Sequence, residues 1–180
     1  MNEPRAVEDW QRLLVGARSI GAADAPVTII EFGDYECPGC QNWQPHIESI
    51  LASYPDDVRF VFEFKHWPLS YHQLALPAAR AAECEGDQGR FWEFHTILYR
   101  DRNWLGDAMD RFAEQAGVRD LDSFEECLAS TTPLLTVETS TQQAMEIGAP
   151  GTPTVIVNGL LLGSQRDSVF LRQMIEEATR

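Results

Sequence analysis

Lysine is nearly absent from this chain: of 14 basic residues among 180, all are arginine except Lys65. Positive charge as a whole is scarce, since 28 acidic side chains leave a formal net charge of −14. That balance repels phosphate backbones and argues against general nucleic-acid binding. It fits either a salty habitat or arginine-rich codon usage. Long apolar runs are missing too. The composition is 44% hydrophobic, but charge interrupts it every few residues, well short of the ~18 apolar residues of a membrane span. The opening MNEPRAVEDWQRLL has neither the basic start nor the apolar stretch of a secretory leader, so the compartment is left open. Repeats and low-complexity segments do not occur. A soluble globular chain is expected, long enough to bury a core without crosslinks.

What is present alternates between two periodicities. Residues 5 to 18 carry a helical spacing and predict a short amphipathic helix. Val27–Phe32 is rich in β-branched residues and reads as a buried strand. From Pro38 the pattern turns helical, with Cys40, Trp43, Ile47, Ile50, Leu51 and Tyr54 on one stripe. A turn at Tyr54–Asp57 leads to a second strand, Val58–Phe64, and a crossover of this length implies a parallel pair. Helices are then expected at about 71–85, 90–100, 107–116, 122–130 and 133–147. They are broken at Gly86–Gly89, at Asn103–Gly106 and at Gly117, with Pro133 at a first helical position and Gly148 as a C-cap. Thr154–Val157, the pair Asn158-Gly159 and Leu160–Gly163 predict a hairpin, and Ser168–Ala178 a last helix capped by Asp167. The order implies an α/β fold: a small mixed sheet (1–68 and 148–180) interrupted by an all-helical insertion (69–147).

Four cysteines are available, and two of them form Cys37-Pro38-Gly39-Cys40 where a strand hands over to a helix. The amide groups of a helix start favour a thiolate at Cys37, and Pro38 pre-sets the first turn. Cys40 lies one turn on, near enough to close a small disulfide ring. A zinc site would want two close pairs, whereas Cys84 and Cys127 stand alone. A purely structural bridge over so short a loop constrains little. The favoured reading is a redox pair, with metal binding and a staple as weaker alternatives.

Glu31-Phe-Gly-Asp-Tyr-Glu-Cys37-Pro-Gly-Cys40, followed far downstream by Gly151-Thr-Pro-Thr154, resembles the DsbA-like branch of the thioredoxin superfamily. The similarity runs from Pro26 to the C-terminus and includes Gln88-Gly-Arg-Phe-Trp-Glu-Phe-His95. Pro45 matches the proline inside the active-site helix of that superfamily. The resemblance implies a thioredoxin-like fold with an inserted helical domain, and a thiol-disulfide oxidoreductase that forms disulfides in protein substrates. Reduction, isomerisation or a non-catalytic binding module are the alternatives. It further implies a cis-Pro153 packed on the cysteine pair, with Thr152, Pro38 and Gly39 beside an extended substrate, and Glu31 as a buried proton shuttle for Cys40. Lys65 is expected to face Glu31 across the parallel pair, with a strand-end ion pair as the plainer reading. Two positions depart from the family's best-known pattern: Gly39 replaces a histidine and Thr152 a valine. No cofactor or metal is implied. Partners would be protein thiols and a membrane quinone reductase as reoxidant, the protein a monomer, and its location periplasmic or otherwise extracytoplasmic, with the cytoplasm as alternative.

Cys84 and Cys127 fall in separate predicted helices. A structural disulfide between them is expected in an oxidising compartment, and inert buried thiols otherwise. His46, His66, His72 and His95 show no catalytic or metal spacing and are read as packing or surface residues. Trp43, Trp67, Trp92 and Trp104 are read as core, with Trp67 and Tyr71 able to line an apolar groove for clients.

Overall fold

The computed structural model describes residues 4–53, 60–101, 104, 108–162 and 167–178. The expected Tyr54–Asp57 turn, the strand start at Val58, most of the Asn103–Gly106 break and Gly163 lie outside them. Among the described residues the strands are β1 (Arg5–Ala6), β2 (Arg18–Gly21), β3 (Val27–Gly33), β4 (Phe60–His66), β5 (Thr154–Val157) and β6 (Leu160–Leu161). They form one sheet in the order β1-β6-β5-β3-β4-β2. The helices are α1 (Pro38–Ser53), α2 (Ala75–Asp87), α3 (Phe91–Arg100), α4 (Ala108–Ala116), α5 (Leu121–Ala129), α6 (Leu135–Glu146) and α7 (Ser168–Ala178).

β3 is buried along its whole length, which explains why its sequence is almost continuously apolar. It pairs parallel with β4 and antiparallel with β5. The β5–β6 hairpin turns at Asn158 (φ 45°) and Gly159 (φ 82°), the paired positive dihedrals that an Asn-Gly turn supplies. Asn158 also ties the turn to the sheet, accepting from the Thr28 N–H at 2.7 Å and donating to the Pro26 carbonyl at 2.9 Å. The α6 C-terminus closes as expected around Gly148: the amides of Gly148 and Ala149 donate back to Met145 and Ala144. Asp167 caps α7 through the Phe170 N–H at 2.9 Å. α6 itself starts at Leu135, so Pro133 precedes the helix rather than opening it.

The two faces of the sheet bury separate clusters. Val27, Ile29, Phe62, Phe64 and Val155 pack with α1, α7 and the helices α2–α5. Ile30, Phe32, Ile156 and Leu161 pack with Ala144 and Ile147 from the α6 end and with Val7 and Leu13 from the N-terminal segment. The block of helices expected between the strands is thus divided, with α6 packed against β4 on the far side of the sheet from α2–α5.

The N-terminal helix expected over 5–18 does not form. β1 pairs with β6, Trp10–Leu14 makes a 3₁₀ turn, and β2 pairs with the free edge of β4. Gly16 at φ 77° breaks the path between them. Val7 and Leu13 are buried as a helical face would bury them, but by long-range pairing at both edges of the sheet. A segment this short has little helical stability of its own to oppose that pairing.

Candidate active site

Strand β3 ends at Gly33, four residues form a loop, and α1 begins at Pro38. Cys37 therefore precedes the first helical residue, and its carbonyl accepts the early helical bond from the Gln41 N–H at 3.0 Å. Both cysteines are free thiols. Cys37 keeps 8% of its surface exposed while Cys40 has none, so only Cys37 is open to an incoming sulfur.

The loop before β5 closes over this pair. The Thr152–Pro153 peptide is cis, and the Cys37 thiol donates to the Thr152 carbonyl at 3.3 Å. Gly39 explains how the two loops come so close. A Cβ there would sit 3.1 Å from Pro153 Cδ, 3.3 Å from the Thr152 carbonyl oxygen and 3.5 Å from Cys37 Sγ. A side chain at this position would require Pro153 and Thr152 to give by a few tenths of an ångström.

The two thiols titrate in opposite directions. Cys37 is lowered to about 5, chiefly by the hydrogen bond from Cys40, against the opposing cost of burial. The Thr152 side chain and the main-chain N–H groups of Cys40 and Gly39 add to the lowering. The Thr152 hydroxyl is buried and lacks a hydrogen bond of ordinary geometry, which leaves it available to the neighbouring thiolate. Cys40 is raised well above the usual thiol range, first by burial, then by its hydrogen bond to Cys37 and by the charges of Glu31 and Cys37. A nucleophile that ionises below neutrality thus stands beside a thiol that keeps its proton.

Glu31 is fully buried on β3 and accepts from the Trp43 indole N–H at 2.8 Å, which places a residue read as plain core in a polar role. Lys65 does not face it. In the parallel register Glu31 is opposite Phe64, and Lys65 is opposite Phe32. Because successive side chains alternate across a strand, Glu31 and Lys65 occupy opposite faces of the sheet. The Lys65 ammonium donates to the Val15 carbonyl at 2.7 Å and lies 6.0 Å from the centroid of the Phe32 ring. Burial lowers its pKa to about 8, with Glu63 opposing. The expectation of a Glu31–Lys65 pair is corrected by this one-residue offset.

Pro38 is exposed as the first residue of α1, and Pro45 lies inside it. Cys84 and Cys127 are bonded, joining α2 to α5 with a Cα–Cα distance of 5.9 Å. Several polar residues near the site escaped the sequence reading. Asp34 is buried beside both cysteines, its N–H donating to Cys40 Sγ at 3.4 Å and its carbonyl accepting from the Cys37 N–H at 3.1 Å. An aspartate in the turn after a strand is a turn-former, and that was the one local signal for it. Tyr35 and His95 meet at 3.0 Å between the hydroxyl and Nδ1, and burial lowers His95 to about 3. His66 Nε2 lies 2.9 Å from Glu83, which also binds Arg18 at 2.6 Å. Nothing in the spacing of these residues announces their contacts. Trp67 packs on the second cluster, whereas Tyr71 is 74% exposed.

Comparison with known proteins bears on the whole of this arrangement. A family model described as Thioredoxin matches residues 14–177. The oxidised BdbD of Bacillus subtilis superposes with a TM-score of 0.82 at 24% identity, covering 98% of each chain. The thiol-disulfide exchange protein alpha-DsbA2 of Wolbachia pipientis superposes at 0.79 with 19% identity, over 93% of this chain and 91% of that one. Among curated sequences, a Na(+)/H(+) antiporter NhaA 1 of Salinispora arenicola is 38% identical over 141 residues, 77% of this chain but 21% of the antiporter. The chain spans about a fifth of the length of that relative. Among the described residues no helix is long and apolar enough to cross a membrane.

Proposed function

The chain belongs to the thioredoxin family and carries the DsbA-like form of its fold, and from that premise we propose that it is a thiol-disulfide oxidoreductase that donates disulfides to protein thiols. The observation that carries the reading is the asymmetry of the pair: Cys37 is accessible and lowered to about 5, and Cys40 is buried and raised.

In the oxidised enzyme a client thiolate attacks Cys37 Sγ. The Cys37–Cys40 bond breaks, a client–Cys37 bond forms, and the electron pair leaves on Cys40, which takes up a proton. A second client thiolate then attacks the client sulfur of the mixed disulfide. Cys37 departs as a thiolate, and its low pKa makes it the better leaving group. The client gains a disulfide and the enzyme holds two electrons. Glu31, whose charge acts on Cys40, is the proposed proton shuttle for that thiol. Thr152 and Pro153 are proposed to receive an extended client segment by its main chain. Pro38 and Gly39 line the approach, and the exposed Tyr71, Leu74 and Leu76 offer apolar contact for an unfolded client. Lys65, on the opposite face of the sheet from Glu31, has no proposed part in these steps. Sulfur alone carries the electrons.

The Cys84–Cys127 bond favours an extracytoplasmic site of action, where such disulfides persist. Reoxidation by a membrane quinone reductase and action as a monomer complete the proposal. We place the core in 1–68 and 148–180 and the insertion in 69–147, a division that the mutual packing of α2–α5 supports for those helices, whereas α6 packs on β4 of the core.

One observation favours reduction instead: the Pro38-Gly39 dipeptide brings no side-chain donor to the thiolate. Equilibration in graded glutathione buffers, with acid quench and alkylation, separates the two directions. A potential near or above about −150 mV supports a disulfide donor, and one near about −270 mV a reductase. A pair that does not cycle removes the enzymatic reading.

A further inference from the structure

Asp34 follows β3 directly, and its side chain has no solvent exposure. One carboxylate oxygen accepts from the Glu36 N–H at 2.8 Å. The other accepts from the Leu69 N–H at 2.8 Å and lies 2.8 Å from His72 Nδ1. A buried carboxylate offers about four acceptor sites, so the two main-chain donors leave it short and His72 supplies the third. An ionised carboxylate only accepts, which puts the His72 ring hydrogen on Nδ1, toward Asp34. Through its main chain the same residue holds both cysteines, by its N–H on Cys40 Sγ and its carbonyl on the Cys37 N–H. A second clasp, from the Leu74 N–H to Glu36 at 2.7 Å, fastens the loop carrying His72 to the cysteine loop.

We propose that His72 is a positioning residue for the cysteine pair: it clamps the Asp34 carboxylate, which keeps the Asp34 N–H on the Cys40 sulfur and the Cys40 thiol turned toward Cys37. The inference rests on the thiol-exchange reading and deepens it. Its effect falls on one redox state. In the disulfide, the S–S bond itself fixes the Cys40 sulfur. In the dithiol, the hydrogen bond from Asp34 takes over that task, and the Cys40 thiol is the leading stabiliser of the Cys37 thiolate. Loosening Asp34 therefore weakens the reduced form more than the oxidised form, and the pair becomes a poorer oxidant.

The test compares His72→Ala and His72→Asn with the unaltered protein. Three quantities are read: the glutathione equilibrium constant of the pair, the titration of Cys37 by its ultraviolet thiolate absorbance, and thermal unfolding of both redox forms. His72→Ala is expected to shift the equilibrium about fivefold toward the disulfide, about 20 mV for a two-electron couple, and to raise the Cys37 titration. His72→Asn, whose amide N–H can reach the same carboxylate oxygen, is expected to recover more than half of both shifts. Should the alanine variant not fold, His72→Leu, which keeps bulk without a donor, gives the same contrast with His72→Asn. The proposal is overturned if the donor-free variant matches the unaltered protein in equilibrium and titration, or if asparagine recovers nothing in a folded protein. Failure of the unaltered pair to exchange with glutathione would instead sink the enzymatic reading. The Cys37 titration, which requires no turnover, would still decide the role of His72.

Discussion

Cys37 and Cys40 are separated by two residues and stand as free thiols, while Cys84 and Cys127 are 43 residues apart in sequence and bonded. The first pair sits at a helix start, where main-chain N–H groups and a neighbouring thiol stabilise one thiolate. The second joins the flanks of two helices, with Cys84 almost wholly covered. The same side chain thus serves two ends. A pair across a short loop gains little from chain entropy and is governed by local electrostatics, whereas a pair across a long loop is governed by the entropy it removes from the unfolded chain.

The sharpest way to break this comparison is Cys37→Ser, which should lower disulfide exchange with a reduced client peptide by at least about a thousandfold, because a serine cannot form the covalent intermediate. Melting of the reduced protein should barely change near pH 5, where the Cys37 thiolate contributes little to stability. Activity that survives this substitution would move the chemistry elsewhere.

Removing the other pair should do the reverse. The Cys84→Ala/Cys127→Ala protein should lose about 4 kcal/mol of stability in denaturant unfolding, on the chain-entropy estimate for a loop of this length, with the glutathione equilibrium of Cys37 and Cys40 almost unmoved. A large shift in that equilibrium would show the two pairs to be coupled.

Acidity offers a graded test. Cys37 is depressed from about 9 to about 5 in the folded dithiol, so its thiolate stabilises the reduced protein fully above about 9, and that stability is lost as pH falls to about 5. The disulfide form has no such group. The melting temperature of the reduced form minus that of the oxidised form should therefore rise between pH 5 and pH 9. A flat difference would refute the asymmetry on which the proposed function stands.

The smallest contrast concerns the two faces of the sheet. Glu31→Gln should lower the pKa of Cys40, read by the pH dependence of its alkylation, and slow turnover by about tenfold or more if Glu31 moves the Cys40 proton. Lys65→Met should leave both unchanged, since its ammonium is bound to Val15 on the other side. Equal effects from the two substitutions would mean that they communicate through the sheet.

Much of the site was legible because its parts are local. Cys37, Pro38 and Cys40 declare a strand-to-helix junction through composition alone, and Asn158-Gly159 declares its turn through the dihedrals those residues tolerate. Residues 5–18 misled for the complementary reason. Their apolar spacing suits a helix, but the partners that bury Val7 and Leu13 come from β6, α6 and the sheet. Asp34 and His72 were invisible as a pair, since 38 residues separate them and neither type is unusual where it stands. Lys65 was placed at the right strand and turned the wrong way, because pairing register is a property of two strands and a single offset reverses a face.

The sequence by itself determined the order of strands and helices from β3 onward, the thiol pair and the resemblance to a family, all of which rest on short local patterns. Tertiary structure alone decided which sulfur is exposed, how far each thiol titrates from its ordinary value, that Cys84 meets Cys127, and that Asp34 joins the cysteine loop to His72. Burial and charge act through space, and the distances that govern them exist only once the chain has closed on itself.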